Sequence, residues 1–456
     1  MARTKFRGVY RKSGMDKNAT DINSRYKRWR IIIFGITWLA YVGFYFTRKA
    51  FPVAKVGILE DPSVAISKAS MGVVDGLFGI AYCIGQFIWG MCGDRFGPRI
   101  VVLLGMFLSI LICLAMGMSS TLLIFGILMF LQGFCQATGW APLTKNVSYW
   151  FSRPERGRVY GFWATNYAVG GMLASAFAGY MAMLYSDWRF AFFMSAAVLG
   201  MIWLLFFLLQ RNRPRDIGLP NIETHRGEYE DGSIPEDAEG KSEGSHEGSW
   251  HAIREVFLNP MILRLGAIYF LLKPARYAIL FWGPVIVYER LGSNIGESAL
   301  ISAVFEAAGP LGVICAGYAS DKWFQARRIP VMVISMLILS LILFSFSTVT
   351  AGGGTVSMVI ILAAIGFFLF GPDALISSTA AVDFGTQKGA GSAAGFINGM
   401  GSTGQIIGLS LPGLISELYG WDALFMGLGG FVAMAALILL PKWNAVPLSR
   451  AEKAKP

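Results

Sequence analysis

The residues of this chain best suited to chemistry are arginines placed where arginines are costly. Trp38 to Phe51 reads WLAYVGFYFTRKAF and forms the late part of an apolar run that begins at Ile31. At helical spacing, Tyr41, Tyr45 and Arg48 fall at i, i+4 and i+7 and share one face. An arginine inside a membrane-spanning segment costs about 2.5–3.5 kcal/mol on insertion scales. It must snorkel to the headgroups or face protein, water or an anion. A second copy decides between these. IYFLLKPARYAILFW places Tyr269, Lys273 and Arg276 at the same spacing in the other half of the chain. Two cationic helix faces, one per half, are hard to explain as snorkelling. They read as two walls of one anion site at a repeat interface.

The elements that must position these residues are membrane helices. Of the 456 residues, 55% are hydrophobic and only 15% charged, which excludes an ordinary soluble globular protein. Long apolar runs recur, each able to cross a hydrocarbon core that needs about 20 helical residues. The expected spans are 31–58, 70–92, 99–118, 120–150, 158–184, 190–209, 258–288, 296–319, 330–349, 355–382, 389–416 and 421–441. The first run follows YKRWR, is too long for a signal-peptide core and is expected to be retained. The segment 210–257 is rich in Glu, Asp, Gly and Ser and cannot bury a core, so it reads as a flexible linker. The expected organisation is a basic N-terminus over 1–30, a six-helix bundle over 31–209, the linker over 210–257, a second six-helix bundle over 258–441 and a tail over 442–456.

The net charge of +11 is arranged for a membrane and not for nucleic acid. Arg25, Lys27, Arg28 and Arg30 precede the first span. Arg95 and Arg99, then Arg153, Arg156 and Arg158, then Lys322, Arg327 and Arg328 follow spans 2, 4 and 8. The loops after spans 3 and 9 carry no Lys or Arg, so both termini are expected in the cytoplasm. The five cysteines lie in apolar runs without metal or CxxC spacing and read as small hydrophobes. The three histidines, His225, His246 and His251, all fall in the linker, and no nucleophile–base pair, metal cluster or Walker loop occurs. No enzymatic activity, cofactor or metal is expected.

The halves repeat. Span 2 ends in GMCGDRFGPR, with Gly90, Asp94, Arg95, Gly97 and Arg99; span 8 ends in GYASDKWFQARR, with Gly317, Asp321 and Lys322. Asp94 lies 46 residues beyond Arg48, and Asp321 lies 45 beyond Arg276. DWRFAFFM then opens span 6, and GWDALFM opens span 12. Cationic face, acidic turn and aromatic restart recur in one order, which marks an internal duplication of six helices. The Gly-x3-Asp-Arg-x-Gly-x-Arg loop, its weaker copy and the 6+6 layout resemble the major facilitator superfamily. YVGFYFTRKAF, CQATGWAP, SRPERG, WATNYAVGG, the Arg276-Tyr277 pair before Trp282, GYASDK, FLFGPDALI and GAGSAAGF are similar to the organophosphate:phosphate antiporters, the glycerol-3-phosphate and hexose-6-phosphate transporters.

The resemblance implies an all-α integral membrane protein, twelve transmembrane helices in two pseudo-symmetric six-helix bundles. It implies that Arg48 and Arg276 are paired phosphate-binding arginines. The chemistry agrees: a guanidinium stays charged and its planar fork matches phosphate oxygens bidentately. A phosphate monoester carries about −1.5 to −2 charges near neutral pH, which two arginines balance. Tyr41 and Tyr45 add hydroxyls beside Arg48. Lys49, about 100° further round the helix, belongs on the wall or in a charge pair. By family position Gln136, Trp140, Trp163, Asn166 and Tyr167 face the cavity, though the tryptophans also suit helix packing or an interfacial belt, and Asp75, Asp373 and Asn398 are expected among the cavity residues. Asp94, Arg95 and Arg99, with Asp321 and Lys322, suit charge pairs that close one face, and Glu306 suits a cavity or gating role.

Three positions depart from the family pattern. Tyr167 stands where relatives usually have histidine, Lys273 where they have tyrosine and Gln86 where some have lysine. Asp75 and Asp373 add intramembrane carboxylates. Lys273 is either a third positive ligand or the partner of Asp373, in a gated network or as a purely structural pair. The expected function is exchange of an organic phosphate, a hexose 6-phosphate such as glucose 6-phosphate, for inorganic phosphate. The expected setting is a monomer in the lipid bilayer of a bacterial inner membrane. The alternatives are a sensor of external sugar phosphate, a transporter of glycerol 3-phosphate or another small organophosphate, and a proton-coupled symporter using Asp75, Glu306 and Asp373.

Overall fold

A computed structural model describes residues 15–64, 66–222, 259–325, 327–380 and 390–445. The first fourteen residues, 223–258 with the three histidines, the tail over 446–456 and the side chain of Asp94 lie outside the described residues. The segment expected to be flexible from 210 is instead ordered as far as 222: it turns through a 3-10 helix at Pro214–Ile217 and buries Leu219 and Ile222 against Tyr26, because its first residues are apolar enough to pack on the first helix.

The chain is built from helices: α1 (Met15–Glu60), α2 (Lys68–Phe96), α3 (Pro98–Gly117), α4 (Leu122–Gln136), α5 (Trp140–Trp150), α6 (Arg153–Trp163), α7 (Thr165–Leu184) and α8 (Arg189–Leu209) before the linker. After it come α9 (Pro260–Leu291), α10 (Ile295–Lys322), α11 (Arg328–Phe344), α12 (Phe346–Thr350), α13 (Gly354–Ala374) and α14 (Ala390–Leu439). Ten described helices are long and apolar enough to cross a bilayer. One of them folds back at Gly420 and crosses twice, and the shorter apolar helix α11 supplies the twelfth crossing. The expected twelve spans are present, with three of them interrupted. Span 4 breaks at 137–139 into α4 and α5, span 5 at Ala164 into α6 and α7, and span 9 at Ser345 into α11 and α12.

Local chemistry sets the helix ends. Ser67 caps α2 by accepting the Ser70 amide at 3.2 Å, and Asn294 caps α10 by accepting from Glu297 N at 2.9 Å. Asn259 caps α9 with Pro260 as its first residue. Gly97 and Gly420 hold φ of 83° and 80°, a region that side chains with a Cβ rarely adopt. They reverse the chain between α2 and α3 and within α14.

An even number of crossings brings the start of α1 and the end of α14 to one membrane face, here the terminal face; the other is the far face. The two halves meet along the far side. A Cβ on Gly72 of α2 would lie 2.3 Å from Ser410 O of α14, and one on Gly413 2.1 Å from Lys68 O. A Cβ on Gly179 of α7 would lie 2.4 Å from Ala299 Cβ of α10. In lipid, where apolar helices gain little by associating, such small-residue contact is what lets helices pack. Polar links cross the seam: Lys68 to Glu289 at 3.0 Å, Tyr288 to Glu60 at 2.5 Å and Ala69 N to Glu417 at 2.8 Å, with Trp421 Nε1 of the second half steadying Glu289 at 2.7 Å.

Gly72→Val should therefore force α2 from α14 and cost about 1–3 kcal/mol, as core overpacking does. Gly430, with nothing within 4 Å of a Cβ, provides the control. Thermal unfolding in detergent should show a lowered midpoint for Gly72→Val and little change for Gly430→Val; equal midpoints would remove the close approach from the description of the seam.

Candidate functional site

Among the described residues, the buried charged side chains of the membrane interior are Arg48, Lys49 and Lys55 on α1, Asp75 on α2, Lys273 and Arg276 on α9, Glu306 on α10 and Asp373 on α13. Every cation comes from the first helix of a half. Pro274 and Pro284 lie within α9, and Pro52 lies within α1, so each cationic helix departs from uniform hydrogen bonding near its charges.

Arg48 is 6% exposed. Its Nε donates to Gln136 Oε1 at 2.6 Å, and its guanidinium lies 4.6 Å from the Tyr45 ring centre and 5.0 Å from that of Tyr82. Gln136 is fixed in turn, donating to Phe44 O at 3.2 Å and Thr47 Oγ1 at 3.0 Å. Arg276, 8% exposed, donates through Nη1 to Asp373 Oδ2 and lies 4.5 Å from the Phe370 ring and 5.1 Å from the Tyr167 ring. Lys273 Nζ sits 3.1 Å from the other oxygen of Asp373 and 4.5 Å from the Tyr269 ring. Tyr45, Tyr277 and Glu306 each lie close enough to both guanidiniums to feel their charge. The two arginines thus face one region between the halves.

Each arginine keeps a buried nitrogen without a protein partner, Nη2 of Arg48 and Nε of Arg276. Both belong to planar donor forks. An unmet buried charged donor is costly, and an oxyanion between the halves would satisfy both.

The structure brings most of the expected residues to this region. Tyr41 packs with Tyr45, Trp140 and Trp163 at ring separations of 5.8, 5.2 and 6.0 Å. Tyr167 stacks on Phe370 of the other half, rings 6.3 Å apart. Trp163 is fully buried and donates to Thr37 Oγ1 at 3.1 Å, so it forms the packed backing of the wall. Asn166 is fully buried with neither side-chain polar atom partnered. Asn398 is exposed on α14.

Others are placed differently. Asp75 is tied to Lys55, with neither exposed, so it is no free cavity carboxylate. Lys55 also donates to Phe281 O at 3.2 Å and lies 3.7 Å from the Trp282 ring. Glu306 pairs with Lys49 at 2.8 Å across the halves, and Lys49 donates to Leu280 O at 2.8 Å. A Cβ on Gly171 would overlap Glu306, so that glycine makes room for the carboxylate. At the terminal face Asp321 pairs with Arg328 at 2.5 Å, Lys322 donates to Tyr318 OH at 2.6 Å and Arg99 to Phe207 O at 2.6 Å, each within its own half. Arg95 is exposed beside Phe96. The site residues missed in the sequence are Lys55, Tyr82, Tyr277 and Phe370. Lys55 was findable, because it lies seven residues beyond Arg48 on the same face.

The Major Facilitator Superfamily pattern matches residues 33–408. The chain belongs to that superfamily. It is 30% identical over 434 residues to the "Probable hexose phosphate transport protein" of Chlamydia trachomatis, covering 93% of both chains. It is 30% identical over 434 residues to the "Membrane sensor protein UhpC" of Escherichia coli, covering 93% of this chain and 94% of that one. These relatives place it in the organophosphate:phosphate antiporter family. A solved structure of a bacterial homolog of the human lysosomal transporter Spinster, inward-facing and unoccupied, superposes with a TM-score of 0.67 at 16% identity. That match covers 91% of this chain and 95% of the other, and it bears on the fold.

The Lys55–Asp75 pair allows a test that needs no substrate. Removing one partner of a buried pair costs about 3–5 kcal/mol. Lys55→Ala and Asp75→Ala should each lower the thermal midpoint sharply, and the double variant should lose less than the sum. Additive losses would mean that the two do not act as a pair.

Proposed function

We propose that this integral membrane protein exchanges an organic phosphate for inorganic phosphate by alternating access, and that the organic substrate is a hexose 6-phosphate such as glucose 6-phosphate. The observation that carries this reading is the pair of buried arginines, one from each half, each with an unpartnered nitrogen. A phosphate dianion bridging Arg48 and Arg276 would supply oxygens to both forks and balance both charges. Tyr41, Tyr45 and Lys273 complete the phosphate shell in this reading. Gln136, Trp140, Asn166, Tyr167 and Asn398 line or back the cavity, and Asp373 faces its cations. The similarity to a hexose phosphate transport protein supports the choice of substrate.

In this reading the terminal face is cytoplasmic, in a bacterial inner membrane, as the distribution of Lys and Arg suggests. The far-face seam is then the external gate, drawn in its closed state. Arg95, Arg99, Asp321 and Lys322 serve the opposite gate, where they now pair within their own halves or lie exposed. The six-helix units are 31–209 and 258–441, joined by 210–257, and the protein acts as a monomer.

The similarity to a membrane sensor favours one other reading, a receptor for external sugar phosphate. Counterflow of labelled phosphate in proteoliposomes separates the two: the exchanger accumulates label against unlabelled internal phosphate, and a receptor does not.

Arg48→Lys and Arg276→Lys keep the charge but lose the fork. Losing one charged hydrogen bond of about 1.5–3 kcal/mol should slow phosphate exchange by roughly tenfold to more than a hundredfold. Exchange at the wild-type rate in either variant, at matched expression, would take that arginine out of the site. Replacing 227–247 by Gly/Ser of equal length should leave exchange largely intact, because that composition cannot bury a core. Lost transport with normal insertion would show that the linker has a specific partner.

A further inference from the structure

The buried charges do not cancel. Lys55 is matched by Asp75 and Lys49 by Glu306, one to one. Arg48 has only the neutral Gln136 as a polar side-chain partner in the described contacts. Arg276 and Lys273 share a single carboxylate, Asp373, which gives one oxygen to each. Three cations therefore face one anion, and the remainder, two positive charges, matches a phosphate dianion. Asp373 stands directly after Pro372, where α13 passes into a π turn over Leu375–Ala380. Irregular backbone of this kind inside membrane helices is found where a cavity or site is lined.

The arginines thus differ in what an incoming phosphate meets. Arg48 can donate to a phosphate oxygen without giving up an ionic partner. Arg276 can do so fully only by sharing or leaving Asp373. We propose that Asp373 is the internal counter-anion of the site. It holds Arg276 and Lys273 in position when no phosphate is bound, and substrate phosphate takes their charge from it. In this role Asp373 is a positioning residue that weakens phosphate binding and hastens release, since an exchanger must bind its substrate loosely enough to let it go. The inference rests on the reading of the site as a phosphate exchanger.

The test uses the full-length protein, inorganic phosphate as ligand and three variants, Asp373→Asn, Lys273→Gln and the two combined. Phosphate affinity is measured by intrinsic fluorescence or thermal shift in detergent, and phosphate exchange in proteoliposomes. Asp373→Asn frees both cations of the second half. It should tighten phosphate binding about tenfold, the effect of a modest charge interaction, while lowering the maximal exchange rate. Its phosphate-induced rise in thermal midpoint should exceed that of the wild type, because ligand then neutralises more unmatched charge. Lys273→Gln with Asp373→Asn should bind phosphate more tightly than Lys273→Gln alone, because within that background the loss of the carboxylate still frees Arg276. A purely structural carboxylate would give weaker phosphate binding in Asp373→Asn, or unchanged binding, and either result overturns the proposal. If Asp373→Asn does not fold, the same comparison decides: tighter phosphate binding in the double variant than in Lys273→Gln supports the counter-anion, and equal or weaker binding overturns it. Wild-type protein that binds no phosphate overturns the exchanger reading itself, a result visible without any variant.

Discussion

Charge buried inside a membrane protein is the constraint on which the rest of this structure depends. Each such group costs several kcal/mol unless a partner meets it. Here the cations lie on α1 and α9 and the anions on α2, α10 and α13. No cation can find its carboxylate on its own helix, so every pairing fixes the rotation of one helix against another. Lys55 sets α1 against α2, Lys49 sets α1 against α10, and Arg276 with Lys273 sets α9 against α13. Hydrophobic packing could not set these rotations alone, because the lipid is as apolar as the helix faces. The glycines follow from the same demand: Gly171 leaves space for Glu306, and the seam glycines let the backbones close behind the charges.

The duplication in the sequence does not produce two equal walls. Tyr41, Tyr45 and Arg48 repeat as Tyr269, Lys273 and Arg276 in spacing, yet the first arginine is held by an amide and the second by a carboxylate. The aromatic neighbours differ as well. Arg48 rests among tyrosines of its own half, Tyr45 and Tyr82, while Arg276 lies against Phe370 of its own half and Tyr167 of the other. Tyr167, where related carriers usually have histidine, is thus a contact between halves. It offers the guanidinium a ring face and not a second titrating nitrogen.

The architecture was legible in the sequence because its signals are long. Twelve apolar runs, a polar break and a repeated order of motifs need no side-chain geometry to be read. Lys49 could be set apart from Arg48 by helical phase alone, and the structure gives it Glu306. The Lys273–Asp373 contact was legible from two unusual charges whose removal from water requires partners. The sharing of Asp373 with Arg276 was not, since one carboxylate with two oxygens can serve one cation or two and only the crossing of α9 and α13 decides. Asp75 was read as a cavity carboxylate because Lys55, on the Arg48 face, was left out. Its match was on the page, but the proximity of α1 to α2 at that level is tertiary. The bends at 137–139 and Ala164 were invisible for another reason: neither contains a proline, and span-length hydropathy continues through both.

The placement of the pairs also separates what a rocking motion must break from what it can carry along. Lys55–Asp75 lies within the first half, and the Asp373 group lies within the second, so both travel intact when the halves rotate as bodies. Lys49–Glu306, the Lys55 bond to Phe281 O and the Lys68–Glu289 link all cross between halves and oppose opening of the far face. Breaking Lys49 from Glu306 leaves two buried charges without their partner, a cost of several kcal/mol unless water reaches them. In the proposed reading an anion held between Arg48 and Arg276 also spans the halves and draws them together. Its attraction can offset lost contacts only in a state where both arginines reach it. The differential affinity that a substrate needs in order to shift a two-state equilibrium is therefore available at this one place, where a single ligand touches both halves.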